Sequence, residues 1–479
     1  MNDYRSPRIS EELGGLSAGN SAERNPLSGG YAGTVLAEID GVDVESLVRA
    51  HGTPLFVFSE RKIRAQARAL RAAFRSLYEN SQFFWSFKTN GLNAVCQVFK
   101  SEGWGAEIVS KYEYDKARAL GFNGREIIFN GPYKDDDAIE TALREGAMIQ
   151  IDNWDDMARV ERAAEQLGGR YKVGIRVWFA TSHGPTWSKF GFGLATGEAL
   201  RAGNHVAAHP NLTLHTLHAH IGTYMLDPEA YRVATQSLLG LRDQIEADTS
   251  ELVACLNLGG GFPSRALLHG MTGPADLHVP PIERYAGAIT SELNRQPTAR
   301  RPILRLETGR HLIDEAGYLV TTVVSIKDGQ AALMSDPSGL TALRVKEMTL
   351  RGHAPKASYV LDAGINLLYT AAWFAMSAYP ARQTDAMPEP ARLVGDLCME
   401  IDVIREEVQL PRLNVDDRLT LLPVGAYNLG QSMQFIHLRP EVVMLDLQGG
   451  VHVIRRQENL ADMTDPEQMP AYLAGGGYD

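Results

Sequence analysis

The run FFWSFK at residues 83–88 sets four large aromatic side chains around one serine and ends on a lysine. Aromatic residues in a short unbroken apolar run favour a strand buried on both faces, so Lys88 marks the end of such a strand. Two readings of Lys88 follow. In one, the long stem packs along the strand edge while the ammonium reaches solvent. In the other, the amine sits in an apolar pocket with its pKa lowered and serves as a nucleophile. What the other strands bring to the same place decides between them.

Similar runs recur along the chain: AEIVS (106–110), IIFNG (127–131), MIQID (148–152) and KVGIRVW (172–178), then LHTLHAHIG (214–222), VACLNLGGG (253–261) and ILRLETG (303–309). Helical patterns such as KYEYDKARALGF and DMARVERAAEQLGG lie between most of them. Roughly eight βα units is the number that closes a (β/α)8 barrel of the TIM type. An open doubly wound sheet satisfies the same alternation. After residue 317 the texture changes to β-rich runs, including YLVTTVVSI, ASYVLDAG, RLTLLPVGAY and EVVMLDL. The expected division is therefore a mobile arm over 1–33, a segment 34–54 joining the second domain, a barrel over 55–316 and a mostly β domain over 317–479. The stretch GTVLAEIDG (33–41) is expected to add a strand to that second domain.

A chain of 479 residues needs more than one core, and 44% hydrophobic with 22% charged residues is ordinary globular composition. A formal net charge of -11 disfavours a nucleic-acid partner. The best candidate membrane stretch, Ile365 to Tyr379, is interrupted by Asn366, Thr370 and Ser377, so no membrane association is expected. The N-terminus has no apolar signal region, and the cysteines, Cys96, Cys255 and Cys398, have no metal-ligand spacing. Both features point to a reducing cytoplasm.

In a barrel, chemistry gathers at the C-terminal ends of the strands. Those ends carry Lys88, Ser110, Asn130, Asp152, Arg176, His220, Gly259, Gly260 and Gly261, and Glu307 through Gly309 to Arg310. The glycines of LNLGGGFP let backbone amides turn around an anion such as phosphate; a flexible strand-to-helix turn is the plainer reading. In LETGR, Arg310 is placed to hold the same phosphate and Glu307 to bond a ring nitrogen, unless the two form a structural ion pair. His218 and His220 fall on one strand face. They are two packed histidines, a metal pair, or an imidazole stacked on a flat cofactor with Thr223 on its phosphate. An amine, an imidazole platform, a phosphate cradle and a carboxylate for a pyridine nitrogen together describe pyridoxal 5′-phosphate carried by Lys88 as a Schiff base.

At this point the chain resembles the fold type III pyridoxal-phosphate decarboxylases, the diaminopimelate, ornithine and arginine decarboxylase-like enzymes. The resemblance runs in order through GTPLFVFSE, SFKTN, GWGAEIVSKYEY, IIFNGPYK, SKFGF, HAHIGT, LNLGGGFP and LETGR, then LDAGIN, LCMEID and GAYNLGQSMQF. It implies that Lys88 carries the cofactor and His220 stacks on its ring. It implies that Thr223, Gly260, Gly261, Arg310 and Tyr427 hold the phosphate and that Glu307 meets the pyridine nitrogen. Cys398 matches the family cysteine that helps to protonate the product and reaches the site from a second subunit, so a homodimer with shared sites is implied.

The departures lie on the substrate side. Met399 follows Cys398 where the diaminopimelate enzymes have glutamate and the ornithine enzymes aspartate; Glu400 comes one position later, which on a strand points to the opposite face. Thr370 and Ala371 stand where an arginine and a proline are usual, and Thr308 replaces a proline. Met399, Glu400, Thr370 and Asp402 are thus the candidate substrate-pocket residues. Diaminopimelate, ornithine and lysine are disfavoured because a site built for a charged group rejects analogues lacking it, and here the charged partners are missing. The reading is a pyridoxal-phosphate-dependent amino-acid decarboxylase, a carboxy-lyase taking a bulkier or conjugated amino acid. A racemase or epimerase on the same scaffold is the main alternative, and Glu307 counts against it because related racemases place an arginine there. A non-enzymatic relative and a metal-dependent barrel hydrolase complete the rivals.

Overall fold

The computed structural model describes residues 35–180, 188–328, 357–383 and 386–474. The expected arm over 1–33 and the last five residues lie outside them.

Each of the eight expected runs is a strand: β1 (Ser81–Ser86), β2 (Gly105–Ile108), β3 (Ile127–Phe129), β4 (Met148–Ile151), β5 (Tyr171–Trp178), β6 (Leu212–His218), β7 (Cys255–Asn257) and β8 (Ile303–Thr308). Every neighbouring pair in that order is parallel, and Leu304 to Thr308 of β8 pair with Ser81 to Trp85 of β1. That last pairing closes the ring and excludes the open sheet. The barrel is a packed core with the mouth at the strand C-termini. Helix starts are written into the sequence just after the strands: Ser110, Asp135 and Asn153 accept from the backbone N–H of Glu113, Ala138 and Asp156. Ser110, expected among the groups at the mouth, is therefore a helix cap. Helix Glu60–Arg75, which precedes β1, packs on Ile282–Asn294 and fills the slot between β8 and β1.

Leu55–Ser59 is a correction to the expected boundary. It pairs antiparallel with Gly317 to Val320 and parallel with Val442 to Leu445, so it belongs to the second sheet and the barrel begins after it. All five of its residues are buried, and the sheet around it supplies partners on both edges. The sheet continues outward from Gly317–Asp328 through Ala357–Leu361 and Glu389–Val394 to Val403–Leu410, while Arg418–Leu422 joins Gly317–Asp328 to Ser377–Pro380. The preceding segment packs on this sheet. Asp40 and Gly41, both at positive φ, turn a short hairpin, and Leu36, Ile39, Val44 and Leu47 are buried with Val57, Tyr318 and Val443.

Candidate active site

The barrel mouth and the β domain enclose a cavity of about 720 Å³. Lys88, Glu107, Asn130, Arg176, His218, His220, Thr223, Gly261, Glu307, Gly309, Arg310, Thr370 and Tyr427 all line it. The strand ends thus converge.

Strand β1 stops at Ser86, and Lys88 sits in the following turn, Phe87–Thr89. Two contacts from the β domain clasp that turn: the Tyr427 amide donates to Thr89 O at 2.7 Å, and Asn90 Nδ2 to Gly425 O at 3.2 Å. Lys88 Nζ lies 2.5 Å from Glu107 Oε2. The expectation of a lowered pKa is corrected by this neighbour. Burial pushes the amine down, but the charge and hydrogen bond of Glu107, with Tyr427 and Glu307, outweigh it and raise the pKa. The part of Lys88 that is exposed faces the cavity, so neither a solvent-reaching lysine nor a neutral one describes it.

Glu307 is the hub of the polar wall. Asn257 Nδ2 donates to its Oε1 at 2.5 Å, Asn130 Nδ2 to its Oε2 at 2.9 Å, and His218 Nε2 lies 3.4 Å from Oε2. Burial raises its pKa, yet His218, Lys88 and Asn257 together hold it well below the usual carboxylate range, so Glu307 is ionised. The expected alternative of a Glu307–Arg310 ion pair is not what forms, because Arg310 Nη1 pairs with Asp314 Oδ2 at 3.0 Å. Asp314 is itself fixed by Ser264 Oγ at 2.6 Å.

The two histidines diverge. His218 faces Glu307, whereas His220 Nδ1 accepts from the Gly260 amide at 3.1 Å. That bond puts any proton of neutral His220 on Nε2. Burial, then Arg176 and Lys88, push its pKa far down, so the imidazole stays neutral.

The glycine turn is corrected in detail. The Gly259 amide donates to Asn257 Oδ1 at 2.9 Å and the Gly260 amide to His220, so both are committed inside the protein and only Gly261 lines the cavity. The glycines serve close approach: at Gly259, with φ +64°, a Cβ would stand 2.7 Å from His220 Nδ1. Arg310 lies with its guanidinium carbon 4.3 Å from the Phe374 ring centre and 5.1 Å from that of Tyr427. Its Nε is buried with no hydrogen-bond partner. A buried cationic N–H without an acceptor, beside Thr223 and a glycine turn, fits a phosphate, and the ionised Glu307 fits a protonated ring nitrogen. The residues present therefore suit pyridoxal phosphate.

The substrate-side expectations separate. Thr370 lines the cavity, and its N and Oγ1 both donate to Asn428 Oδ1, at 3.0 and 2.9 Å. Asp402 is turned inward instead, accepting from the Ile365 and Leu397 amides at 2.8 and 2.9 Å. It ties together the two loops that carry LDAGIN and Cys398, and glycines at 364 and 395 admit its carboxylate. Cys398 and Glu400 are exposed, and neither they nor Met399 lines this cavity. The cavity's β-domain wall is formed by Tyr369, Thr370, Trp373 and Phe374, with Tyr224 and Leu268 beside it.

Residues that sequence reasoning missed are Glu107 and Asn257, both wholly buried, and Phe190, which stacks 4.5 Å from the Arg176 guanidinium. For the first two a signal existed: an acid or amide inside an apolar strand must have a partner.

Comparison with known proteins agrees with this arrangement. The family described as pyridoxal-dependent decarboxylase, pyridoxal binding domain, matches residues 60–314. The diaminopimelate decarboxylase of Methanothermobacter thermautotrophicus is 27% identical over 448 residues, covering 91% of this chain and 96% of that protein. That of Bacillus subtilis is 27% identical over 443 residues, covering 89% and 94%. The solved diaminopimelate decarboxylase of M. jannaschii superposes with a TM-score of 0.79 at 23% identity, over 91% of this chain and 96% of that one. A lysine/ornithine decarboxylase of Vibrio vulnificus gives 0.66 at 21% identity, over 84% and 97%. These two superpositions share the barrel and β domain with this chain, so the fold expected from the sequence is the fold observed. With more than half its length inside the family match, the chain belongs to the pyridoxal-dependent decarboxylases, and its cofactor and carboxy-lyase class are those of that family.

Proposed function

We propose that this decarboxylase acts on an amino acid with a bulky, aromatic or conjugated side chain, as a homodimer in the cytoplasm. The observation that carries the substrate class is the far wall of the cavity. Tyr369, Thr370, Trp373, Phe374, Tyr224 and Leu268 line it without a charged group among them. A diamino or dibasic side chain would lose water there and gain no ionic partner.

The chain's own residues divide the work. Arg310, Thr223, Gly261 and Gly309 would hold the cofactor phosphate, with Tyr427 beside Arg310, and the neutral imidazole of His220 would offer a flat face to the ring. Glu307 holds a proton on the pyridine nitrogen. When bound, pyridoxal phosphate supplies an electron-poor ring that accepts the electron pair left as CO2 departs. Lys88 would carry the cofactor, and its Nζ is oriented by Glu107 Oε2 at 2.5 Å. Because Cys398 stands exposed and outside its own cavity, Cys398 of the partner subunit is the proposed proton donor to the α-carbon, with the Met399 and Glu400 loop alongside. A dimer of this kind makes each site shared. An exposed Cys398 with no disulfide in the described residues supports a reducing compartment.

The test is incubation of the cofactor-loaded protein in D2O with amino acids that include diaminopimelate, aromatic residues and side-chain amides. The expected result is loss of CO2, with one deuterium at the α-carbon, from the bulky or conjugated substrates. Deuterium uptake with the carboxylate retained would mean racemisation, and diaminopimelate as the preferred substrate would overturn the pocket reading.

A further inference from the structure

Asn130 follows strand β3, is buried, and continues the sheet by donating its backbone N–H to Ile108 O at 2.8 Å. Its side-chain nitrogen donates to Glu107 Oε1 at 2.9 Å and to Glu307 Oε2 at 2.9 Å. Both hydrogens of one amide are thus spent on two different carboxylates. The carbonyl oxygen, Oδ1, is buried with no hydrogen-bond partner. The flip of the amide is settled by chemistry, since an oxygen facing two carboxylates would meet only acceptors. Glu107 comes from β2 and Glu307 from β8, strands that flank β1. Asn130 bridges them, meeting Glu107 through Oε1 while Lys88 takes Oε2.

We propose that Asn130 is a positioning residue: by tying Glu107 and Glu307 to one nitrogen, it fixes the placement of both carboxylates against Lys88 and the cofactor ring. The inference rests on the reading of Glu307 given above. Two carboxylates that share a buried neighbour repel, and without a common donor nothing holds their oxygens in register with each other. An ammonium in Asn130's place would hold them more strongly but would compete with Lys88 for Glu107. A neutral double donor avoids that competition. The other charged or titratable groups facing the pair are Lys88 after β1, Arg176 on β5, His218 and His220 at β6, Glu113 on the helix after β2, and Tyr427 from the β domain. Lys88 and Arg176 act on both carboxylates through charge, whereas Asn130 donates a hydrogen bond to each.

The experiment compares wild type, Asn130→Ala, Asn130→Asp and Glu307→Gln as cofactor-loaded enzymes, reading cofactor affinity, the visible absorption band against pH, kcat and KM. For Asn130→Ala the expected outcome is cofactor affinity within a few-fold of wild type, kcat lower by about 10² with KM little changed, and a visible band shifted from the wild-type position at fixed pH. Asn130→Asp keeps the shape, so it carries the test if the alanine variant does not fold. Ionised, it has no hydrogen to donate; protonated, it regains one, so its kcat relative to wild type rises as the pH falls. A wild-type band and kcat in both Asn130 variants, with Glu307→Gln altering both, would overturn the inference. An unaltered band in Glu307→Gln would instead overturn the reading of Glu307 itself.

Discussion

The two walls of the cavity follow opposite rules. On the barrel side Lys88, Glu107, Asn130, Glu307 and Asn257 form one continuous chain of hydrogen bonds, with His218 3.4 Å from Glu307 at its edge. On the β-domain side Tyr369 and Trp373 meet edge to face with ring centres 5.1 Å apart and remain 37% and 49% exposed. The first wall is over-determined: each carboxylate is addressed from two or more βα units, so its position is set before any ligand arrives. The second is built from one short turn, held by aromatic contact and by the bonds of Thr370 to Asn428. Chemistry common to a family needs the first kind of wall, because a buried charge left without its partner is costly. Substrate choice needs only the second, whose residues can change without disturbing the first.

The sharpest way to break this comparison is to remove the one amine on the barrel wall. Lys88→Ala is expected to lower kcat by about 10⁴ or more and to abolish borohydride-trapped cofactor on the 81–92 peptide. Phosphate-side binding should survive, since Arg310, Asp314 and the glycine turn do not depend on Lys88. Measured cofactor affinity checks that separation. If affinity and chemistry vanish together, the polar wall is not divisible in this way.

The next effect concerns a residue on neither wall of its own chain. Cys398→Ala is expected to lower kcat by about 10², the usual contribution of a placed proton donor. Mixing Lys88→Ala subunits with Cys398→Ala subunits should then restore activity to about a quarter of wild type, because half the dimers carry one intact shared site. Activity that stays at the level of the separate variants would sink the shared site.

How far the sequence shows all this follows the same division. The eight barrel strands are legible because each is a short, largely apolar run, and all but KVGIRVW end in a polar or glycine residue. Lys88, His220, Glu307 and Arg310 are legible because an amine, an imidazole and a carboxylate–arginine pair at strand ends have few other reasons to coincide. Leu55–Ser59 looks like a barrel strand because an apolar run states that it is buried and not which sheet it joins; that depends on partners at 317–320 and 442–445. Ser110 and Asp402 mislead for a related reason. A serine or aspartate near an element boundary serves backbone N–H groups at least as readily as it serves a ligand, and here both do. Glu107 escapes notice because its partners, Lys88 and Asn130, come from the turns after other strands.

The smallest expected effect probes the aromatic wall alone. Trp373 is half exposed and makes its ring contact with Tyr369, so trimming it removes apolar surface without uncovering a buried polar group. Trp373→Ala should therefore leave the cofactor spectrum and affinity at wild-type values. It should raise KM for a bulky substrate by about tenfold, equivalent to ~1.4 kcal/mol of lost binding, with kcat changed much less. The converse variant, Thr370→Arg, adds a cation to a wall that has none and displaces the threonine from Asn428. If the walls are independent, it shifts preference toward substrates with a distal carboxylate and leaves the band of the bound cofactor unmoved. A change in that band from either variant would mean that the aromatic turn reaches the polar network through Phe374 and Arg310, whose guanidinium carbon lies 4.3 Å from the Phe374 ring centre.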